Sequence, residues 1–166
     1  MNKKFLNIVC IILALSLCGC KQSTEKYFSG KDTIESYGDG TYQLMHHREE
    51  QRLFNLKYNV CIIHYVDAIL EYNGKIYATG EYPKTIKNTN EESIEILFRV
   101  YAVVDIQNNH LQFCAVIEDS YSMPNVELRV VTDEMISGGD ATILESVTDF
   151  ETEDWAVFQT IITGAD

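Results

Sequence analysis

The chain has 166 residues, 46% of them apolar and 23% charged, which excludes the charge-rich, aromatic-poor composition of disordered chains and suits one hydrophobic core. Thirteen Lys and Arg stand against twenty-five Asp and Glu, a formal net charge of -12. So acidic a chain lacks the basic patch that nucleic acid requires, and anionic lipid head groups repel it.

The first element is an export signal. Lys3 and Lys4 precede an apolar run of thirteen residues, Phe5 to Leu17, interrupted only by Asn7 and Ser16. A helix needs about 20 apolar residues to cross a bilayer core, so this run has the length of a signal peptide and is short for a membrane span. It ends in Leu17-Cys18-Gly19-Cys20. That ending resembles the lipobox of bacterial lipoproteins, with Leu three places before the modified Cys and a small residue immediately before it; Cys18 stands where that family more often has Ser, Thr or Ala. The resemblance covers residues 1–21. It implies that a diacylglyceryl group is attached to the Cys20 thiol and that cleavage leaves Cys20 as the new N-terminus. Two or more acyl chains give stable anchoring where a single chain is marginal.

The expected organisation is therefore a removed signal at 1–19, a lipidated Cys and short tether at 20–31, and one acidic, strand-rich globular domain at 32–166. Loss of Lys3 and Lys4 leaves eleven basic against twenty-five acidic side chains, or -14. The membrane association must then come from the anchor on Cys20, and a charged partner of the domain is expected to be basic. Lys21 to Lys31, polar apart from Tyr27 and Phe28, spans at most about 40 Å when extended, which keeps the domain near its membrane. The expected location is extracytoplasmic. The bias to Asn, Ile, Lys and Tyr, with Lys21 after the anchor, leans toward a Gram-positive source.

Within the domain, Asp39-Gly40 marks a turn between Ile34–Tyr37 and Thr41–His46. Gln51 to Leu56 is a weaker strand candidate, and the apolar run Val60 to Val66 predicts another strand. Asn73-Gly74 between Ala68–Tyr72 and Lys75–Thr79 predicts a tight hairpin, because both central positions need positive φ. Pro83 and Pro124 are expected in loops. From Phe98 to Ile117 the residues alternate about Asn108-Asn109, which predicts Ile106 opposite Leu111, Val104 opposite Phe113, Ala102 opposite Ala115 and Val100 opposite Ile117. One face of that hairpin is apolar; the other carries Asp105, Val103, Tyr101 and Arg99 against His110, Gln112, Cys114 and Val116. Val126 to Thr132 is a weak strand candidate. Trp155, Phe158 and Ile162 recur at helical spacing behind Glu151, Glu153 and Asp154, whose charges suit a helix N-terminus, so a short helix is expected from Thr152 to Thr163. The expected fold is mainly β, with α+β as the alternative: an antiparallel meander of hairpins forming a small barrel or a one-sided sheet, closed by a short C-terminal helix.

No motif names a reaction or a cofactor. Cys61 and Cys114 are the thiols left in the domain, and they are the candidates for a disulfide, which an exported protein permits, or else two half-buried free thiols. With His64 and His110 they make a zinc-type set of poor spacing, since residues three apart on a strand diverge. The same four contain a Cys and a His that could meet as nucleophile and base, but with no sequence context for either role separate packing and surface positions are expected. His46-His47-Arg48-Glu49-Glu50 fits a solvated strand end. Asp149, Glu151 and Glu153 begin like a calcium loop but lack its Gly and terminal Glu. Ser137-Gly138-Gly139-Asp140 lacks the Lys of a phosphate loop. Tyr42, Tyr65, Tyr72, Tyr77, Tyr82 and Tyr101 fall on predicted strands, where cross-strand packing competes with an exposed binding row. The functional expectation is a membrane-anchored, non-enzymatic binding module for another exported polypeptide; the alternative is an inhibitor or immunity-type protein that neutralises a basic exported toxin or enzyme.

Cys20→Ser should leave the domain folded and abolish membrane retention. Fractionation of cells carrying the variant checks this: once the signal has been cleaved, the protein should appear in the soluble extracytoplasmic fraction.

Overall fold

A computed structural model describes residues 30–87, 91–117 and 128–164. The signal, Cys20 and nearly all of the tether lie outside the described residues, as do Pro124 and the first two positions of the Val126–Thr132 candidate. The described chain is mainly β. A four-stranded sheet runs in the order β1 (Thr33–Tyr37), β2 (Tyr42–His47), β3 (Glu50–Asn55), β4 (Val60–Ile63). A five-stranded sheet follows as β5 (Tyr65–Tyr72), β6 (Lys75–Lys87), β7 (Ser93–Asp105), β8 (His110–Ile117), β9 (Ala141–Leu144). Each sheet is a meander of hairpins; only β9 is parallel to its neighbour. The sheets do not close into a barrel.

Turn chemistry sets the registers. Asn73 and Gly74 both take positive φ, 51° and 75°, and Tyr72 faces Lys75 across them, the two-residue connection whose twist matches its strands. Between β1 and β2 the connection is longer than Asp39-Gly40: Tyr37 faces Tyr42, with Gly38 at φ 62° and Gly40 at φ 92°. The β7–β8 hairpin also departs from expectation. Asp105 faces His110 and Val104 faces Leu111, a slip of two residues from the predicted pairing. The cause is Asp105, whose carboxylate accepts the Gln107 and Asn108 amides at 2.9 and 3.0 Å and so holds a four-residue loop, 106–109. A slip of two keeps every side chain on its predicted face.

The expected strand Val60–Val66 is interrupted at His64, where the chain passes from the first sheet to the second. There β6 crosses closely over it. A Cβ on Gly80 would collide with the Tyr65 carbonyl oxygen and lie 2.8 Å from Ile63 Cγ2, while His64 N–H donates to the Glu81 carbonyl at 3.1 Å. Pro83, expected in a loop, lies inside β6 opposite Leu97. β5 ends its pairing at Glu81, so Pro83 sits where one side of β6 no longer needs a donor.

The apolar face of the β7–β8 hairpin packs toward the first sheet: Val100, Ala102, Val104, Leu111 and Phe113 join Tyr42, Leu44, Leu53, Ile62 and Ile63 in the main core. Leu128, Val130 and Val131 add to it without forming the weak strand predicted around them. They lead into α1 (Asp133–Ser137), whose N-cap Thr132 hydroxyl accepts the Met135 amide and which buries Met135. The opposite face of the second sheet is covered by α2 (Thr152–Thr163), at the predicted bounds and ended by Gly164 at φ 62°. Phe158 is its buried centre, edge-on to Tyr77 and Tyr101 at ring separations of 5.8 and 5.4 Å. Val103 and Cys114, on the face read as the more polar one, are buried beneath it. Ile162 is exposed, and Ile161 packs instead.

Gly80→Ala should destabilise the domain by about 3 kcal/mol, because the added methyl meets backbone that cannot rotate away. Urea unfolding followed by tryptophan fluorescence checks this through the midpoint at unchanged slope.

Candidate functional site

The fold separates Cys61 from Cys114 and His64 from His110, while Cys61 and His64 share the neighbourhood of Arg52 and Tyr82. Cys61 lies on β4 and Cys114 on β8, in different sheets, and both are free thiols. His64 sits at the corner against the Tyr82 ring, 4.5 Å between centroids; His110 lies on β8, with Nε2 3.1 Å from Thr142 Oγ1. Among the described residues no group of three or more His, Cys, Asp or Glu is placed to hold a metal ion. Burial pushes the Cys61 thiol up to about 12 and that of Cys114 up to about 11, which disfavours the thiolate form. Burial, with the nearby Arg52 charge, lowers the His64 pKa.

The other sequence candidates resolve into local structure. His46 and His47 end β2 and are exposed, with Arg48 at φ 61° in the turn that follows. Asp149 belongs to a capping box with Ser146. Gly138 caps α1, and Asp140 accepts from the Tyr58 hydroxyl and the Lys57 ammonium, which joins this loop to the β3–β4 connection. Tyr42 and Tyr77 are buried, Tyr65, Tyr82 and Tyr101 are half-buried, and Tyr72 is exposed. The tyrosines do not form a single exposed row.

What the fold does assemble is a pair of grooves along β5. At its first residues a polar groove of about 370 Å³ is lined by Glu49 of the β2–β3 turn, by Glu50 and Gln51 at the start of β3, and by Tyr65, Val66 and Asp67. The corner at His64 creates it, by bringing the start of β5 beside the start of β3. Glu50 pairs with Arg52 at 3.0 Å and Asp67 with Arg99, while Glu49 has no ion-pair partner among the described residues. At the other end of β5 a groove of about 270 Å³ runs between Leu70 and Tyr72 of the strand and Ala156, Val157 and Thr160 of α2. Its walls are largely apolar. One groove is suited to a cationic side chain and the other to an apolar one.

The second groove depends on how α2 is held. Asp154, expected only to complement the helix N-terminus, is 1% exposed. Its carboxylate accepts from Lys75 Nζ at 2.8 and 3.0 Å and from the Tyr77 hydroxyl at 2.7 Å. Burial works to lower the Lys75 pKa, but the hydrogen bonds and charge of Asp154 outweigh it and hold the ammonium above its usual range. Burial, then Asp154, raises the Tyr77 pKa. A triad joining residues 75, 77 and 154 has no local sequence signal.

The domain thus belongs to the class of small mainly-β modules with a helix-covered sheet and an open flank. Comparison with protein-family models, with curated proteins and with solved structures finds no match.

Both raised groups set an alkaline limit. Lys75 and Tyr77 contribute stability that is fully present below their unfolded-state values, 10.5 and 10.0, and is lost as pH rises above them. The thermal midpoint should fall steeply above about pH 10 in the native protein. Lys75→Met, which leaves the buried carboxylate with only Tyr77, should lower stability at pH 7 by about 2–3 kcal/mol and flatten that alkaline limb; calorimetry across pH checks both.

Proposed function

We propose that this chain is a membrane-anchored extracytoplasmic lipoprotein whose domain is a non-enzymatic binding module for another exported polypeptide. The observation that carries the reading is the basic start, apolar run and lipobox ending at Cys20. An acyl anchor places the domain on the outer side of a membrane, and the short tether restricts it to what passes nearby. The -14 charge after signal removal and the open acidic groove at Glu49 favour a basic partner.

The charge also favours a more specific form of the same reading, an inhibitor or immunity-type protein that neutralises a basic exported toxin or enzyme. Opposite charges accelerate encounter, and that acceleration weakens with ionic strength.

Crosslinking of the anchored protein in living cells tests the proposal: a specific exported protein should be recovered above an unrelated lipoprotein control. Binding of that protein should weaken at least tenfold between low and roughly 0.5 M salt, where exposed charges more than a few ångströms apart are screened. Recovery of no specific neighbour overturns the reading, and salt-independent binding overturns its charge-steered form.

A further inference from the structure

We infer that the outer edge of β5 is a docking strand, on which an extended basic segment of the partner adds to the second sheet as a further strand. This rests on the proposed function above and names the surface that performs it. β5 ends the five-stranded sheet. Tyr72 and Lys75 flank a two-residue turn and pair directly, so they exchange ladder hydrogen bonds, and alternation along the strand turns the Leu70 and Ala68 backbone toward β6. The N–H and C=O of Ile69 and Glu71 therefore point away from the sheet, and neither residue's backbone is bonded elsewhere among the described residues.

Edge strands are usually guarded by a bulge, an inward charge, a lysine or a proline. In β5 the bulge is confined to Asp67, where the register shifts between Val66 and Ala68. From Ala68 to Tyr72 the strand is regular, and its one charged residue is Glu71. Leu70 and Tyr72 are 38% and 51% exposed, unusual for apolar side chains on an unguarded edge. The other terminal strands are shorter: β9 and β4 have four residues each, and β1 has five with its own irregularity.

The two grooves argue for what this edge takes. They open at opposite ends of the strand, one acidic at Glu49 and one apolar between Tyr72 and Val157. Strand addition draws affinity from main-chain hydrogen bonds and specificity from side-chain pockets along the edge. An extended segment lying on Ile69 and Glu71 would place a Lys or Arg near Glu49 and an apolar side chain against Leu70. Glu71 and Glu49 form no ion pair among the described residues, so a basic segment meets two uncompensated carboxylates.

The test uses the full anchored chain in detergent micelles and a ten-residue peptide of alternating lysine and valine. Hydrogen exchange at the Ile69 and Glu71 amides should slow when the peptide is added. Glu71→Pro removes an outward-facing N–H without removing a bond from the β5–β6 ladder, and should weaken peptide binding at least tenfold; Glu71→Gln, which removes the charge and keeps the N–H, should weaken it less than threefold. Equal losses in the two variants, unchanged binding by Glu71→Pro, or no slowing at Ile69 and Glu71 overturns the inference. Near-UV circular dichroism reports whether Glu71→Pro keeps its fold, and if it does not, the wild-type exchange pattern decides alone. Capture of the same cellular neighbour by wild type and by Glu71→Pro overturns the docking edge and leaves the proposed function standing; capture of none by wild type overturns both.

Discussion

Where Gly80 lies against the carbonyl of Tyr65, the backbones of two strands approach within the space a single methyl would fill. That approach allows one continuous stretch, from Val60 to Tyr72, to serve two sheets with only His64 between its parts. The Glu81 carbonyl accepts the His64 amide at the corner, so the chain changes sheet without leaving that donor unsatisfied. Because the corner holds the start of β5 beside the start of β3, Glu49 and Asp67 come to share one groove. The polar groove is thus a consequence of backbone geometry rather than of any local motif.

The second sheet is loaded from both sides, and this explains its composition. Val104, Leu111 and Phe113 face the first sheet, while Val103, Tyr77 and Cys114 lie beneath α2. A strand buried on both faces loses the alternation that marks a half-solvated one, which is why the β7–β8 hairpin carries Val103 and Val116 on the side that also carries Arg99 and Gln112. Helix and sheet meet through aromatic edges around Phe158 and through the buried carboxylate of Asp154. Phe158 contributes apolar area without much direction. Asp154 contributes direction, because its carboxylate is satisfied only when Lys75 and Tyr77 stand below the first turn of the helix.

Legibility followed the range of the interactions. Asn73-Gly74 could be read because its backbone angles exclude most other residues, and α2 because three apolar side chains at helical spacing leave few other arrangements. The β7–β8 register cannot be read from alternation, since a slip of two residues preserves both faces; the Asp105 carboxylate decides it, against a turn centred on Asn108-Asn109. α1 buries a single residue, Met135, too little for a period, and Ala141–Leu144 is four residues of a parallel edge strand. Asp154 was legible as a helix-start acid but not as the partner of Lys75, because nothing local connects residues 79 positions apart. Glu49 and Glu50 read locally as part of a solvated strand end beside His46 and His47. Their significance lies across the corner, in Tyr65 to Asp67.

On the proposed function, the acidic charge and the lipid anchor would divide the work between the two ends of the chain. Residues 32–166 carry eight basic against twenty-four acidic side chains, or -16, so an anionic bilayer repels this region and does not draw its surface down. Held as proposed on a tether of at most about 40 Å, the domain would stand off while remaining confined near the membrane, with the β5 edge available to passing chains. Such confinement would raise the encounter rate with anything exported through that zone, so that even a shallow groove and a few main-chain hydrogen bonds would suffice for the proposed capture. Deep pockets are needed where one ligand must be extracted from dilute solution. A tethered edge strand would work at high local concentration, and β5, flanked by one acidic and one apolar groove, suits the proposed capture on that scale.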